Sequence, residues 1–235
     1  AQGRVYVMNA DGSVIEPALP PESGTVLPGA NTGFSKTPYT EAHWTPDGKG
    51  LVAVQQIENV RIPQLLPALG GTASVIADLD GRPLTGNQVS LSWAPTGRTL
   101  AVSTVARDVG TIVIIDFDNE QVTFGATNTL PGHNIWSPSG DQIAFEIMQY
   151  RQGHGYTTIG LAVLNLDDLT HNIIASGEIS SVSWSSNGSR IIFTKTGGNA
   201  SSNIWSIGPD GSAARNLTAH SSDNHDAAAS PPSAE

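Results

Sequence analysis

Three positions before a recurring tryptophan stand Glu41, Ser90, His133 and Ser181, and Asp226 holds the same place ahead of a degenerate fifth copy. If the copies close into a ring, these positions converge on its axis. Glu41, His133 and Asp226 would then offer a cation, calcium included, or a ligand's amine, a shared set of oxygen and nitrogen donors. Solvated polar residues at strand starts, or a water-filled channel, would show the same pattern. Two other stretches have the composition of interfaces. Residues 149–157 read QYRQGHGYT and bring Tyr150, Arg151, His154 and Tyr156 close together. Residues 57–71 read IENVRIPQLLPALGG and carry Arg61, Leu65, Leu66 and Leu69. Tyr and Arg are enriched where proteins meet because they combine a large contact area with a polar tip. The plainer alternative folds the leucines over the core and uses the aromatics to cap the edge of a repeat.

Catalytic patterns are missing. There is no G-x-S-x-G, G-x-G-x-x-G, G-x-x-x-x-G-K-[ST] or H-E-x-x-H. The absence of cysteine removes thiolate nucleophiles, thiolate zinc sites and disulfides. His43, His154, His171, His220 and His225 are scattered without zinc-ligand spacing, and His220, Asp223 and His225 fall in a Ser/Ala-rich tail that reads as a solvated linker. The pairs Asp78/Asp80 and Asp116/Asp118 resemble the start of a calcium loop but lack its downstream Glu. Of the acids, Glu41 and Asp226 alone are candidates for paired carboxylate chemistry on a sugar. The chain is therefore expected not to be an enzyme and to have no resident cofactor, calcium excepted.

The elements that position these residues come from the repeat. Aligned on tryptophan, the segments are HWTPDGKGLVAVQ, SWAPTGRTLAVST, IWSPSGDQIAFEI and SWSSNGSRIIFTK, with Trp at 44, 93, 136 and 184. Each shows Trp, a small residue, Pro or Ser, and an x-Gly turn, followed by an apolar strand. In the second repeat four strand signals fall at 89–93, 99–105, 111–117 and 121–126, bounded by turns rich in Gly, Asp and Asn. Helical periodicity is absent over any useful window. Four strands in each repeat of 43 to 49 residues is the period of a β-propeller blade. The expected architecture is all-β: a single propeller domain over 1–235 with complete blades at 40–84, 88–127, 132–176 and 179–218. An incomplete fifth blade would be shared by 4–18 and 222–229, leaving 230–235 as a tail. A six-bladed parent from which this chain is cut is the alternative.

Composition sets the remaining limits. The 235 residues are 38% apolar with 25 glycines, a globular composition, and a chain of this length buries a sizeable core without staples. Charged residues are scarce at 14%, and the net charge is −10. An acidic chain with so few Lys and Arg is a poor match for phosphate backbones or anionic membranes, so nucleic acid is excluded as a partner. No apolar stretch approaches the length of a membrane span.

The W-S-P-x-G turn followed by Ile143-Ala144-Phe145, the strand Ile204-Trp205-Ser206-Ile207, the turn Pro209-Asp210-Gly211-Ser212, and Asn216-Leu217-Thr218 together resemble the WD40-like PD40 repeats of TolB-type propellers. The opening Val5-Tyr6-Val7-Met8-Asn9-Ala10-Asp11-Gly12-Ser13 is close to the third strand and turn of that repeat, and Ser186 departs from it where Pro is expected. The resemblance covers nearly the whole chain. It implies a scaffold or docking role at the bacterial envelope, periplasmic or extracellular, with other proteins as partners, among them subunits of envelope or membrane complexes. Similar repeats also occur in propellers attached to prolyl-oligopeptidase-like enzymes, so a ligand- or ion-binding propeller, or the gating propeller of a peptidase, is the alternative.

In a propeller the second-to-third connections and the inter-blade connections share one face. Every long insertion (19–39, 57–71, 149–157 and 219–225) is expected there, and scaffolds carry function on such loops. Partner binding is therefore assigned to Arg61, Leu65, Leu66, Tyr150, Arg151, His154 and Tyr156, and a channel-mouth ligand to Glu41, His133 and Asp226.

Overall fold

The computed structural model describes residues 6–7, 16–17, 39–68, 72–78, 80–126, 129–198 and 201–218. Among them every regular element is a β-strand. A short antiparallel pair, β1 (Tyr6–Val7) and β2 (Glu16–Pro17), is followed by four four-stranded antiparallel sheets whose strands lie side by side in chain order. The first blade holds β3 (Tyr39–Trp44), β4 (Gly50–Ile57), β5 (Val60–Pro67) and β6 (Ser74–Val75), and the second β7 (Gln88–Trp93), β8 (Thr99–Ala106), β9 (Val109–Asp116) and β10 (Gln121–Ala126). The third holds β11 (Leu130–Trp136), β12 (Gln142–Arg151), β13 (Gly155–Asn165) and β14 (His171–Ser176), and the fourth β15 (Glu178–Trp184), β16 (Ile191–Thr196), β17 (Ser202–Ile207) and β18 (Arg215–Asn216). Four propeller blades are thus formed. Of the expected fifth, the described part is the β1–β2 pair; its C-terminal strand at 222–229 and Asp226 lie outside the described residues.

The repeat motif folds for local reasons. Gly48, Gly97, Gly140 and Gly188 occupy one register of the turn between first and second strands, with φ of 66°, 71°, 78° and 69°. That left-handed region is open to glycine without a Cβ penalty. The small residue after each Trp ties the same turn. Thr45 Oγ1 donates to Asp47 Oδ1 (2.6 Å) and Ser137 Oγ to Asp141 Oδ1 (2.9 Å), while Ser185 Oγ donates to Asn187 Oδ1 (2.9 Å). Blade two has Ala94 in that slot, and there Asp118 accepts from the Arg98 backbone N–H (3.1 Å) instead.

Middle strands read as continuous apolar runs because both of their faces are covered. Leu100 and Val102 of β8 face a core shared with Val52 and Val54 of blade one, while Ala101 between them faces a core shared with Ile143 and Phe145 of blade three. Ala144 turns the other way, toward Val182, Trp184, Ile191 and Phe193 of blade four. Adjacent blades are also stitched by their tryptophans: Trp136 Nε1 donates to the Ser92 carbonyl (3.0 Å) and Trp184 Nε1 to the Ile135 carbonyl (3.2 Å). Buried Asn134 adds a polar clasp, donating to the Ser90 carbonyl (3.2 Å) and Ser103 Oγ (2.9 Å) and accepting from Ser92 Oγ.

Two expected loops are strands. The sequence of 57–71 predicts a long insertion, yet β4 and β5 form a hairpin closed by Glu58 and Asn59, in register from Gly50↔Pro67 to Ile57↔Val60. Pro63 is tolerated because its carbonyl accepts from Ile76 N–H (3.0 Å) on the outer side of the strand. Its nitrogen faces that side too, where β6 is only two residues long. Leu66 is consequently a core residue at 0% exposure and cannot serve as a partner contact; Leu69 lies outside the described residues. Likewise 149–157 is the end of a long hairpin: β12 and β13 pair out to Arg151↔Gly155. Its turn is closed by His154 N–H donating to the Arg151 carbonyl (3.0 Å), with Gly153 and Gly155 at φ of 81° and 77°.

Candidate functional site

The first strands β3, β7, β11 and β15 are the inner edges of their sheets, and three of them bulge near the position three residues before Trp. The register slips between Tyr39 and Glu41, between Pro131 and Asn134, and between Ser180 and Ser183, where Ser181 has φ of 52°. A bulge re-aims the side chains beside it. In blade three the slip spans Gly132 and His133, and Gly132 is pressed against its neighbour: a Cβ there would lie 3.0 Å from Met148 Cγ and 3.2 Å from Glu146 Cβ.

These strand starts enclose a cavity of about 230 Å³. Glu41, Ser90 and His133 line it, as the shared register predicts, together with Arg61, Gln88 and Glu146; Val89, Pro131, Gly132 and Met148 supply the apolar wall. Ser181, the fourth equivalent, is not in the lining. The cavity opens toward the end of the blades that carries the second-to-third hairpins, since Gln88 pairs with Val105 and Leu130 with Met148, close to those turns.

Glu41 is fixed through one oxygen. Its Oε1 accepts from the Leu91 backbone N–H of the next blade (3.1 Å) and contacts His43 Nε2 (2.9 Å). His133 keeps an exposed face, but the protein packed around its ring partly desolvates the imidazole and lowers its pKa, although the Glu41 charge acts in the opposite direction. Glu146 shows the largest effect of the group. Burial lifts its carboxyl to about 7, against hydrogen bonds from the His133 backbone N–H and from Thr158 Oγ1 (3.4 Å). Arg61 Nη1 donates to Gln88 Oε1 (2.8 Å), and no ion pair joins Arg61 to either acid among the described residues. Ser90 is 8% exposed, and its Oγ has no hydrogen-bond partner among them.

Glu41, Ser90 and His133 share a register that the sequence reveals, whereas Glu146, Gln88 and Arg61 reach the same cavity from other registers. An acid inside the apolar run Ile143-Ala144-Phe145-Glu146-Ile147 is the signal that could have found Glu146, because such strands admit a carboxyl where a cavity or a partner receives it. No three His, Asp or Glu are grouped to hold a metal ion among the described residues.

The expected interface residues separate. Arg61 belongs to the cavity wall and Leu66 to the core, while Leu65 is half-buried. Tyr150, Arg151 and His154 are exposed on the β12–β13 hairpin tip, where Tyr150 and Tyr156 meet edge to face at 5.3 Å between ring centroids. The hydroxyl of Tyr156 is raised in pKa by partial burial and by the nearby charge of Asp108, which places the blade-two turn beside it. Val109, next to that turn, is 67% exposed, and Tyr150 53%. No helix among the described residues is long and apolar enough to cross a membrane.

No family model matches the chain, and no curated protein sequence does. Solved structures do. The structure assigned as TolB in Agrobacterium tumefaciens superposes with a TM-score of 0.61 at 17% identity, over 92% of this chain and 74% of that one. Oligogalacturonate lyase from Vibrio parahaemolyticus gives 0.61 at 12% identity, over 94% of this chain and 61% of that one. The β-propeller domain of the Trilobed protease from Pyrococcus furiosus, described as an open velcro topology, gives 0.52 at 16% identity over 77% and 58%. Chains with such different activities share one architecture, so the likeness speaks to fold. This chain has the TolB-like β-propeller fold.

Proposed function

We propose that the protein is a non-catalytic recognition propeller that docks other proteins at the bacterial cell envelope through the face bearing its second-to-third hairpins. One observation carries this reading: the paired Tyr150 and Tyr156 rings at the tip of an extended hairpin, beside exposed Arg151, Val109 and the Asp108 turn. Rigid aromatic residues with polar tips, held on a hairpin, lose little conformational entropy when they bind. The periplasmic or extracellular setting, and subunits of envelope or membrane complexes as partners, follow from the resemblance of the repeats.

The test is quantitative capture from an envelope extract of the native host, with cross-linking, comparing the intact protein with the Tyr150→Ala/Arg151→Ala double variant. The expected result is at least tenfold lower recovery of the cross-linked partner at unchanged melting temperature. Equal recovery by the double variant removes the face from consideration. A second reading, a ligand-binding propeller, is favoured by the polar cavity at the channel mouth.

A further inference from the structure

We propose that β10, the outermost strand of blade two, is a docking edge for a second copy of this chain, the two β10 strands pairing antiparallel about a two-fold axis beside Thr123. The edge lies on the rim of the propeller and does not require the recognition face.

Among the described residues the fourth strand of every blade is the outer edge of its sheet. Such an edge presents a row of unpaired N–H and C=O groups, a template for another strand unless something blunts it. In blades one and four the outer strand, β6 or β18, is two residues long. In blade three β14 is bulged, with Ile174 as an extra residue between the pairs Leu161↔Ala175 and Ala162↔Ile173, and a bulge bends the edge. Blade two has neither device. β10 pairs with β9 without a register shift over six residues, from Gln121↔Asp116 to Ala126↔Thr111. Its sequence, QVTFGA, holds no proline and no charge.

This edge is complementary to itself. Val122 and Phe124 fall on one face of the strand and Thr123 on the other. Phe124 is 49% exposed, and Val122 is only partly buried against the core between blades one and two. Antiparallel pairing about an axis at Thr123 sets Thr123 opposite the partner's Thr123 and Val122 opposite the partner's Phe124. A Thr–Thr pair and an aromatic on a β-branched residue are both favourable across two strands. Gln121 then faces the partner's Gly125, so no charge meets its own image. In a chain of net charge −10, an uncharged strip is where two copies approach with least repulsion.

The contact closes at two copies. The sheet runs from β7 through β10 into the same four strands of the partner, and each end of it is an inner strand. Six residues a side is well below the roughly 20–30 of a standard interface, so the dimer is weak and concentration-dependent.

Sedimentation equilibrium of the intact protein, up to about 1 mM, reads this association. A monomer–dimer equilibrium is expected. Thr123→Lys and Thr123→Glu each set like charges opposite one another at the axis, and each should weaken the dimer at least tenfold. Their melting temperatures should match the parent's, because Thr123 is exposed. An equimolar mixture of the two variants sets opposite charges across the axis and should recover parent-like affinity as a heterodimer. A parent that stays monomeric throughout, single variants that dimerise like the parent, or a mixture no tighter than either variant alone overturns the proposal. The Tyr150→Ala/Arg151→Ala protein should dimerise as the parent does, which separates failure of this edge from failure of the recognition face.

Discussion

Glu146 should make the protein less stable as pH rises through neutrality, and Glu146→Gln should remove that dependence. The carboxyl sits near 7 in the folded state against an ordinary value of 4.5, with burial as the main cause. Between those two pH values the folded state holds a proton that the unfolded chain has released. The slope of unfolding free energy with pH is therefore negative for this group, and stability falls as pH rises. The difference between about 7 and 4.5, at about 1.4 kcal/mol per pH unit, sets a penalty of about 3 kcal/mol, fully present above pH 7 and absent below about pH 4.5. Gln matches the protonated carboxyl in shape and keeps an oxygen to accept from the His133 N–H. At pH 8 the variant should be more stable than the parent by about 3 kcal/mol, or about 6–12 °C in melting temperature for a chain of this size. At pH 4.5 the two should agree within about 1 kcal/mol. Urea denaturation of both proteins from pH 4.5 to 8.5 reads this out directly, because the other titrating groups cancel in the difference. A difference that stays constant across that range would refute the buried-carboxyl argument.

Three further outcomes test the packing. Asn134→Ala removes the clasp between blades two and three and strands the hydroxyls of Ser92 and Ser103, so it should cost about 2–3 kcal/mol in a denaturant titration. Gly110→Ala would place a Cβ 2.3 Å from both the Thr129 carbonyl and Pro131 Cδ, and should destabilise by about 3 kcal/mol or abolish soluble expression; a parent-like melting curve would contradict that packing. Arg107 and Asp108 close the β8–β9 hairpin at φ of 51° and 61°, so the Arg107→Asn/Asp108→Gly double variant should raise stability by about 1 kcal/mol by thermal melting.

The sequence by itself determined the blade. Tryptophan spacing, a glycine of positive φ in the turn between first and second strands, and apolar runs in the middle strands are written within each repeat, and four sheets form as they require. It also determined that Glu41, Ser90 and His133 share a register, since that depends only on counting back from Trp. The lengths of the β4–β5 and β12–β13 hairpins escaped it. Prolines and polar residues read as loop when only their own propensities are counted, but a strand lasts as long as its neighbour pairs with it. Tertiary structure alone decided the chemistry of the cavity. Glu146 is one acid in an apolar strand until blades one, two and three bring Glu41, Arg61, Ser90 and His133 around it. Its proton affinity arises from removing water among residues far apart in the chain, and no local pattern records that desolvation.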